Sequence, residues 1–227
     1  MRQQLKFLAM LAGISVVALV ALLWILWSAR PATPGETNSA TEPLIVLPQP
    51  RALTDFTLWR NGSRVFDLGS LRDRWTFVFF GFTSCPDVCP TTLVSLARLQ
   101  KQIIDLGVAP EELQFTFVSV DPQRDSPEEI ERYVTFFEPR FVGVTGSEAQ
   151  LTNLSRQLGA AFKVEYAPGA ENYPVYHTGA VFLVDPSARL HAILRSPSDP
   201  AGAARRFREV RGGFVEDSPR ITANPGR

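Results

Sequence analysis

The sequence predicts an α/β domain in which a mostly parallel sheet is flanked by helices on both faces. Two runs, WTFVFFGF (75–82) and LQFTFVSVD (113–121), are aromatic and β-branched almost throughout, as strands buried on both faces require. Segments of helical period stand between the strands, and this alternation favours parallel pairing through crossovers. With 227 residues, 45% hydrophobic and 20% charged, the chain can bury one sizeable core, which excludes disorder or a coiled coil as the main architecture.

Ahead of that domain, Phe7 to Trp27 are 21 consecutive residues without a charge, about 30 Å as a helix at roughly 1.5 Å per residue. A transmembrane anchor over 7–27 is expected, with Arg2 and Lys6 holding residues 1–6 in the cytoplasm. The apolar core of a cleaved signal peptide is shorter and ends in an Ala-x-Ala-like site, whereas this run ends in Trp27-Ser28-Ala29-Arg30. A mitochondrial transit peptide would need an amphipathic Arg/Ser-rich leader. The expected location is therefore a bacterial inner membrane with the domain on the periplasmic side. Residues 28–43, SARPATPGETNSATEP, read as a flexible linker.

The domain is expected over 44–211. LTDFTLW and RVFDL alternate around Asn61-Gly62 and predict an N-terminal β-hairpin. After the strand at 75–82, Leu93, Leu96, Leu99, Ile103 and Leu106 follow a helical period that stops at Gly107. Beyond the strand at 113–121, Ser126-Pro127-Glu128-Glu129 carries an N-cap, a first-turn proline and a capping-box glutamate. FVGV (141–144) predicts a short strand, and Ser147-x-x-Gln150 opens another helix. FKVEY, AVFLVDP and LHAILR predict three more strands, the last two forming an antiparallel edge, and Asp199-Pro200 opens a final helix, AGAARRFREVR. Residues 212–227 are expected to be a disordered tail. The order is that of a thioredoxin-like fold, whose functional site lies at the carboxyl ends of the strands.

Lysines plus arginines equal aspartates plus glutamates at 23 each, so nothing suggests a nucleic-acid partner. The function must come from a local site, and the only two cysteines, in TSCPDVCPTT (83–92), mark it. A structural disulfide between Cys85 and Cys89 would close too short a loop to restrict the unfolded chain much. Both thiols instead stand at a helix start, where the dipole favours thiolate, with Pro90 placing Cys89 at the N-cap after a turn. A soft dithiolate suits Cu(I) or Zn(II), but two sulfurs are too few for a closed structural zinc site, so a third ligand is sought. Of the two histidines, His177 lies on a loop directly before an apolar strand and is the candidate; His191 alternates within LHAILR and reads as the exposed face of an edge strand.

FFGFTSCPDVCPTTL, FVSVDPQRDSPE, FVGVTGS and YHTGAVFLVDP, in that order, resemble the Sco/SenC family of copper-binding thioredoxin-like proteins over most of residues 51–195. The resemblance implies a membrane-anchored copper chaperone that binds copper, as Cu(I) and in a second state Cu(II), through Cys85, Cys89 and His177. It implies delivery to, or preparation of, the binuclear copper site of cytochrome c oxidase subunit II. Further partners would be a periplasmic copper chaperone and a thiol reductant, and the family is also associated with reducing its target's cysteines. Tyr176 departs from the pattern, since relatives often carry Asp before the histidine.

Asp121, Arg124 and Asp125 match the family's DPxRD and are read as loop architecture with a local ion pair, the alternative being contact with a partner or support of the ligands at the strand end. Asp87 is read as a turn residue. Arg205, Arg206, Arg208 and Arg211 read as a solvated helix face, with lipid headgroups as a weaker alternative. The competing function is an enzyme, a thiol-disulfide oxidoreductase or peroxidase cycling Cys85 and Cys89 through a disulfide bond. Against it stand the Cys-x3-Cys spacing, Gly179 where thioredoxins carry proline, and Phe82 where peroxiredoxins carry threonine. A copper sensor using the same site is a third reading.

Overall fold

The computed structural model describes residues 19–24, 43–166, 173–195 and 197–217. The chain divides into two compact units, Met1–Thr41 and Glu42–Arg227. In the first unit, residues 19–24 are helical and exposed. No helix among the described residues is long and apolar enough to cross a membrane. Most of the span expected at 7–27, the linker up to 42, and residues 218–227 of the expected tail lie outside the described residues.

The second unit runs β1 (Leu44–Ala52), β2 (Thr57–Arg60), β3 (Arg64–Asp67), β4 (Trp75–Gly81), α1 (Val88–Asp105), β5 (Leu113–Ser119), α2 (Pro127–Phe137), β6 (Val142–Val144), α3 (Glu148–Leu158), β7 (Phe162–Val164), β8 (Val175–His177), β9 (Val181–Val184), β10 (Arg189–Leu194) and α4 (Pro200–Asp217). The main sheet has the order β1-β10-β9-β4-β5-β6. It is mixed, as the antiparallel edge predicted, but not mostly parallel. Only β4, β5 and β6 run parallel, while β9, β10 and β1 each pair antiparallel with their neighbour. Strand β1 has no counterpart in the sequence reading, because Pro48 and Pro50 interrupt it. Proline is tolerated there because β1 is an edge strand whose register shifts between Val46 and Arg51.

Strand alternation divides the core between the two sheet faces. Phe77 and Phe79 point into a cluster with Leu93, Leu96, Leu99, Ile130, Val134 and Phe207, so α1, α2 and α4 cover that face. Val78 and Phe80 point the other way, with Leu58 and Phe66 of the hairpin and Leu151, Leu154 and Leu158 of α3. Phe77 stacks on Phe115 of the parallel neighbour at 4.5 Å and 8°. Each such ring, fully buried, contributes about 1.5–3 kcal/mol. β2 and β3 form the expected hairpin, and Gly62 (φ +72°) takes the left-handed conformation the turn needs.

The helix signals are used as expected at Ser126, whose hydroxyl accepts from Glu129 N while Glu129 accepts from Ser126 N. At α3 only half of the box forms. Ser147 accepts from Gln150 N, but the Gln150 side chain accepts from Thr57 N instead, tying α3 to the hairpin.

The C-terminal region requires three corrections. Helix α4 continues to Asp217, past the boundary expected at 211, because Phe214 packs edge-on against Trp75 at 5.1 Å beside Phe207 at 5.4 Å. Arg205 and Arg208 are exposed, but Arg206 pairs with Glu209 and Arg211 grips Glu112 with two nitrogens, so the arginine cluster is only partly a solvated face. His191 is not exposed either. β1 covers the edge of β10, and the His191 ring, 13% exposed, bonds Asp185 and meets Trp75.

Candidate metal centre

β4 ends at Gly81, and the chain turns through Phe82 to Asp87 before α1 begins. The first N–H groups of a helix have no intrahelical partner. The Cys85 sulfur meets this need by accepting from Cys89 N at 3.4 Å. Thr91 N bonds Asp87 O at 3.2 Å, so the first helical turn already includes Cys89. Cys89 therefore sits inside the helix with Asp87 at the N-cap, two residues earlier than the prolines suggested. Pro90 is compatible with this because its missing N–H is one that the helix start leaves unused. Both cysteines are free thiols, Cys85 half-buried and Cys89 fully buried.

The sulfur of Cys89 leaves no room behind it. A Cβ on Gly81 would lie 2.7 Å from Cys89 Sγ and 2.6 Å from the Phe117 ring. Gly81 is thus part of the site through close approach, a role that its place at a strand end did not signal.

His177 stands not on a loop, as the sequence suggested, but at the end of strand β8, which among the described residues pairs with β7, in the register Phe162↔His177. Its ring is held edge-on by Phe79 and Phe82, both at 5.8 Å. Nδ1 lies 3.2 Å from the carbonyl of Thr178, an arrangement that assigns the proton to Nδ1 and leaves the Nε2 lone pair free. Nε2 is 3.5 Å from Cys89 Sγ. The ligand atoms of Cys85, Cys89 and His177 all lie within 4.8 Å of one another. One ion bound at about 2.3 Å from sulfur and about 2.0 Å from nitrogen needs ligand atoms roughly 3.5–4 Å apart, so the donor set fits a soft ion with little movement.

The electrostatics differ from the sequence expectation. Burial pushes the Cys89 thiol well up; the Phe82 backbone bond opposes this, while the neighbouring Cys85 adds to it. The helix start does not make Cys89 a resting thiolate, because its apolar walls outweigh the dipole. Burial also lowers His177, against the Thr178 carbonyl. The site thus rests as a neutral thiol beside a neutral imidazole, and metal binding must displace the Cys89 proton.

The DPxRD residues brace this end of the sheet. Asp125, 1% exposed, accepts from Thr83 N (2.9 Å), Thr83 Oγ1 (2.5 Å) and Ser119 Oγ (2.5 Å), tying the Cys turn to the end of β5. Burial raises its pKa despite those bonds. Asp121, fully buried, pairs with Arg124 Nε at 2.5 Å, the local ion pair expected, and accepts from Tyr173 at 2.7 Å. Tyr173 carried no sequence signal. Asp87 shares its carboxylate with the Thr91 hydroxyl, as a turn residue would, and exposed Tyr176 turns away from the core.

A mixed α/β thioredoxin-like domain with a Cys-x3-Cys turn and a histidine converging at the strand ends defines a class of soft-metal and thiol proteins. The chain belongs to the SCO1/SenC family, whose model matches residues 47–211. A Stutzerimonas stutzeri protein named for copper binding is 35% identical over 170 residues, which cover 74% of this chain and 80% of the relative. The mitochondrial SCO2 homologue of Bos taurus is 36% identical over 137 residues, or 58% of this chain and 49% of that protein, so the match spans about half of the longer relative. The crystal structure of yeast Sco1 with copper bound superposes with a TM-score of 0.65 at 26% identity, over 76% of this chain and 92% of the other.

Proposed function

We propose that this chain is a copper chaperone that holds Cu(I) between Cys85, Cys89 and His177 and delivers it to, or prepares, the binuclear copper site of cytochrome c oxidase subunit II. The observation that carries the reading is the convergence of two sulfurs and a tautomerically poised imidazole within 4.8 Å. Copper is the cargo, and two thiolates with one imidazole suit Cu(I) while leaving room for a ligand from the recipient. Half-buried Cys85 is the ligand an incoming thiolate reaches first, and Cys89 and His177 retain the ion until exchange is complete. The uncharged run at 7–27 supports a single-pass anchor with residues 1–6 in the cytoplasm of a bacterium and the domain in the periplasm, so recipients would share that membrane face.

The test is competition for Cu(I) by the full chain and by His177→Ala. Loss of one ligand should weaken binding by at least about tenfold, or about 1.4 kcal/mol. Unchanged affinity and spectrum would refute the three-ligand site. Deletion of the gene should lower oxidase activity and the copper content of subunit II.

A second reading rests on the same turn: two free thiols four residues apart can close a disulfide while a target disulfide is reduced to two thiols. Turnover of a disulfide substrate at ordinary enzyme rates, undiminished by copper chelation, would favour it.

A further inference from the structure

The strand that brings His177 to the cysteines lies outside the main sheet. Among the described residues β8 has three register pairs with β7, extended by Thr178 N to Ala161 O at 2.9 Å and Glu165 N to Pro174 O at 3.0 Å, and none with the main sheet. A two-stranded hairpin is marginal by itself, so its position depends on tertiary contacts. One set of contacts is concentrated four residues before the histidine. Tyr173 donates to Asp121 Oδ1 at 2.7 Å, and Arg124 Nε donates to Asp121 Oδ2 at 2.5 Å, so each oxygen of a fully buried carboxylate has its own partner. The Arg124 guanidinium lies 3.9 Å from the Tyr173 ring centroid and 5.9 Å from that of Phe82. Phe82 is in turn one of the two rings that hold the His177 imidazole.

One cation therefore touches both the segment leading into β8 and the aromatic wall beside His177. Its carboxylate partner belongs to the rigid end of β5. Charge-assisted bonds and a cation–π contact of this kind are stronger than neutral ones and fix geometry as well as energy.

We propose that Asp121, Arg124 and Tyr173 are positioning residues that hold the His177 strand over the cysteine pair and so set how fast copper leaves the site. This rests on the copper-site reading above. None of the three residues touches the ion in this account. They act through where His177 stands.

The test is the rate at which Cu(I)-loaded full chain gives up its ion to excess bathocuproine disulfonate, followed by absorbance. Tyr173→Phe keeps the ring and removes only the hydroxyl, and should release copper at least about tenfold faster, the factor expected for one lost bond to a charged group. Arg124→Lys keeps the charge but loses the planar stacking and should do likewise. In a His177→Ala background, Tyr173→Phe should add nothing. Release at the wild-type rate from both single variants, with His177→Ala fast, would overturn the positioning role and leave the three-ligand site standing. Equal acceleration by Tyr173→Phe with and without His177 would also overturn it, revealing a general loosening of the fold. Wild-type release from His177→Ala would remove the three-ligand site and this inference with it.

Discussion

Cys89 Sγ and His177 Nε2 lie 3.5 Å apart although 88 positions separate them in the chain. β4 and the start of α1 fix the sulfur, and β8 with its aromatic neighbours fixes the nitrogen. Cys89 is fully buried and His177 half-buried, and that burial governs their chemistry.

The two thiols should differ in reactivity. Cys89 is fully buried with a raised pKa, and Cys85 is half-buried. With the reduced, metal-free protein at neutral pH, iodoacetamide should label Cys85 at least about tenfold faster than Cys89, since the thiolate is the nucleophile and needs access. Peptide mass spectrometry over time reads the order, and equal native rates would contradict it. Because Cys89 rests protonated, copper binding must release its proton, so affinity should fall as pH falls.

Gly81→Ala should damage site and fold together. The added methyl would press on Cys89 Sγ at 2.7 Å and on Phe117 at 2.6 Å, both held in the core. Overpacking of this kind costs about 1–3 kcal/mol. Denaturant unfolding should show that loss, and copper competition should show weaker retention in the fraction that folds.

The last turns of α4 should be stabilising. Phe214 closes over Trp75 at 5.1 Å, so Phe214→Ala should lower stability by about 1–2 kcal/mol. A chain ending at Arg211 should lose at least as much. Urea unfolding followed by circular dichroism measures both, and an unchanged midpoint would return this segment to the role of a tail.

Two buried aspartates should respond to pH with opposite sign. At Asp185 burial raises the pKa, but His191 and Arg189 more than offset it, so the net shift is downward. The folded state then binds fewer protons than the unfolded one; this stabilisation is complete above the ordinary value of 3.8 and is lost as pH falls through the lowered value. Asp125 is raised, so the folded state keeps its proton longer, and its contribution declines as pH climbs from 3.8 through the raised value. Asp185→Asn should therefore cost most near neutrality and least in acid, whereas the cost of Asp125→Asn should shrink as pH rises. Urea midpoints of both variants between pH 3 and 7 would decide it.

Much of this architecture was legible because its signals are local. The runs at 75–82 and 113–121, the Asn61-Gly62 turn and the Ser126 capping box each specify an element through neighbouring residues, and each forms. Strand β1 escaped because its prolines are acceptable only at an edge, and edge position is a property of the assembled sheet. His191 looked exposed for the same reason, since only pairing with β1 and packing with Trp75 bury it.

The sequence by itself determined the chemistry available: two cysteines, a histidine ahead of an apolar strand, and strands and helices in an order that sends them to one end of a sheet. Tertiary structure decided what those groups are when they meet. The apolar enclosure that keeps Cys89 a thiol, the glycine that makes room for its sulfur and the Asp121–Arg124–Tyr173 contact beside His177 all join residues distant in sequence. Burial and close approach are produced only by packing, and no local pattern encodes them.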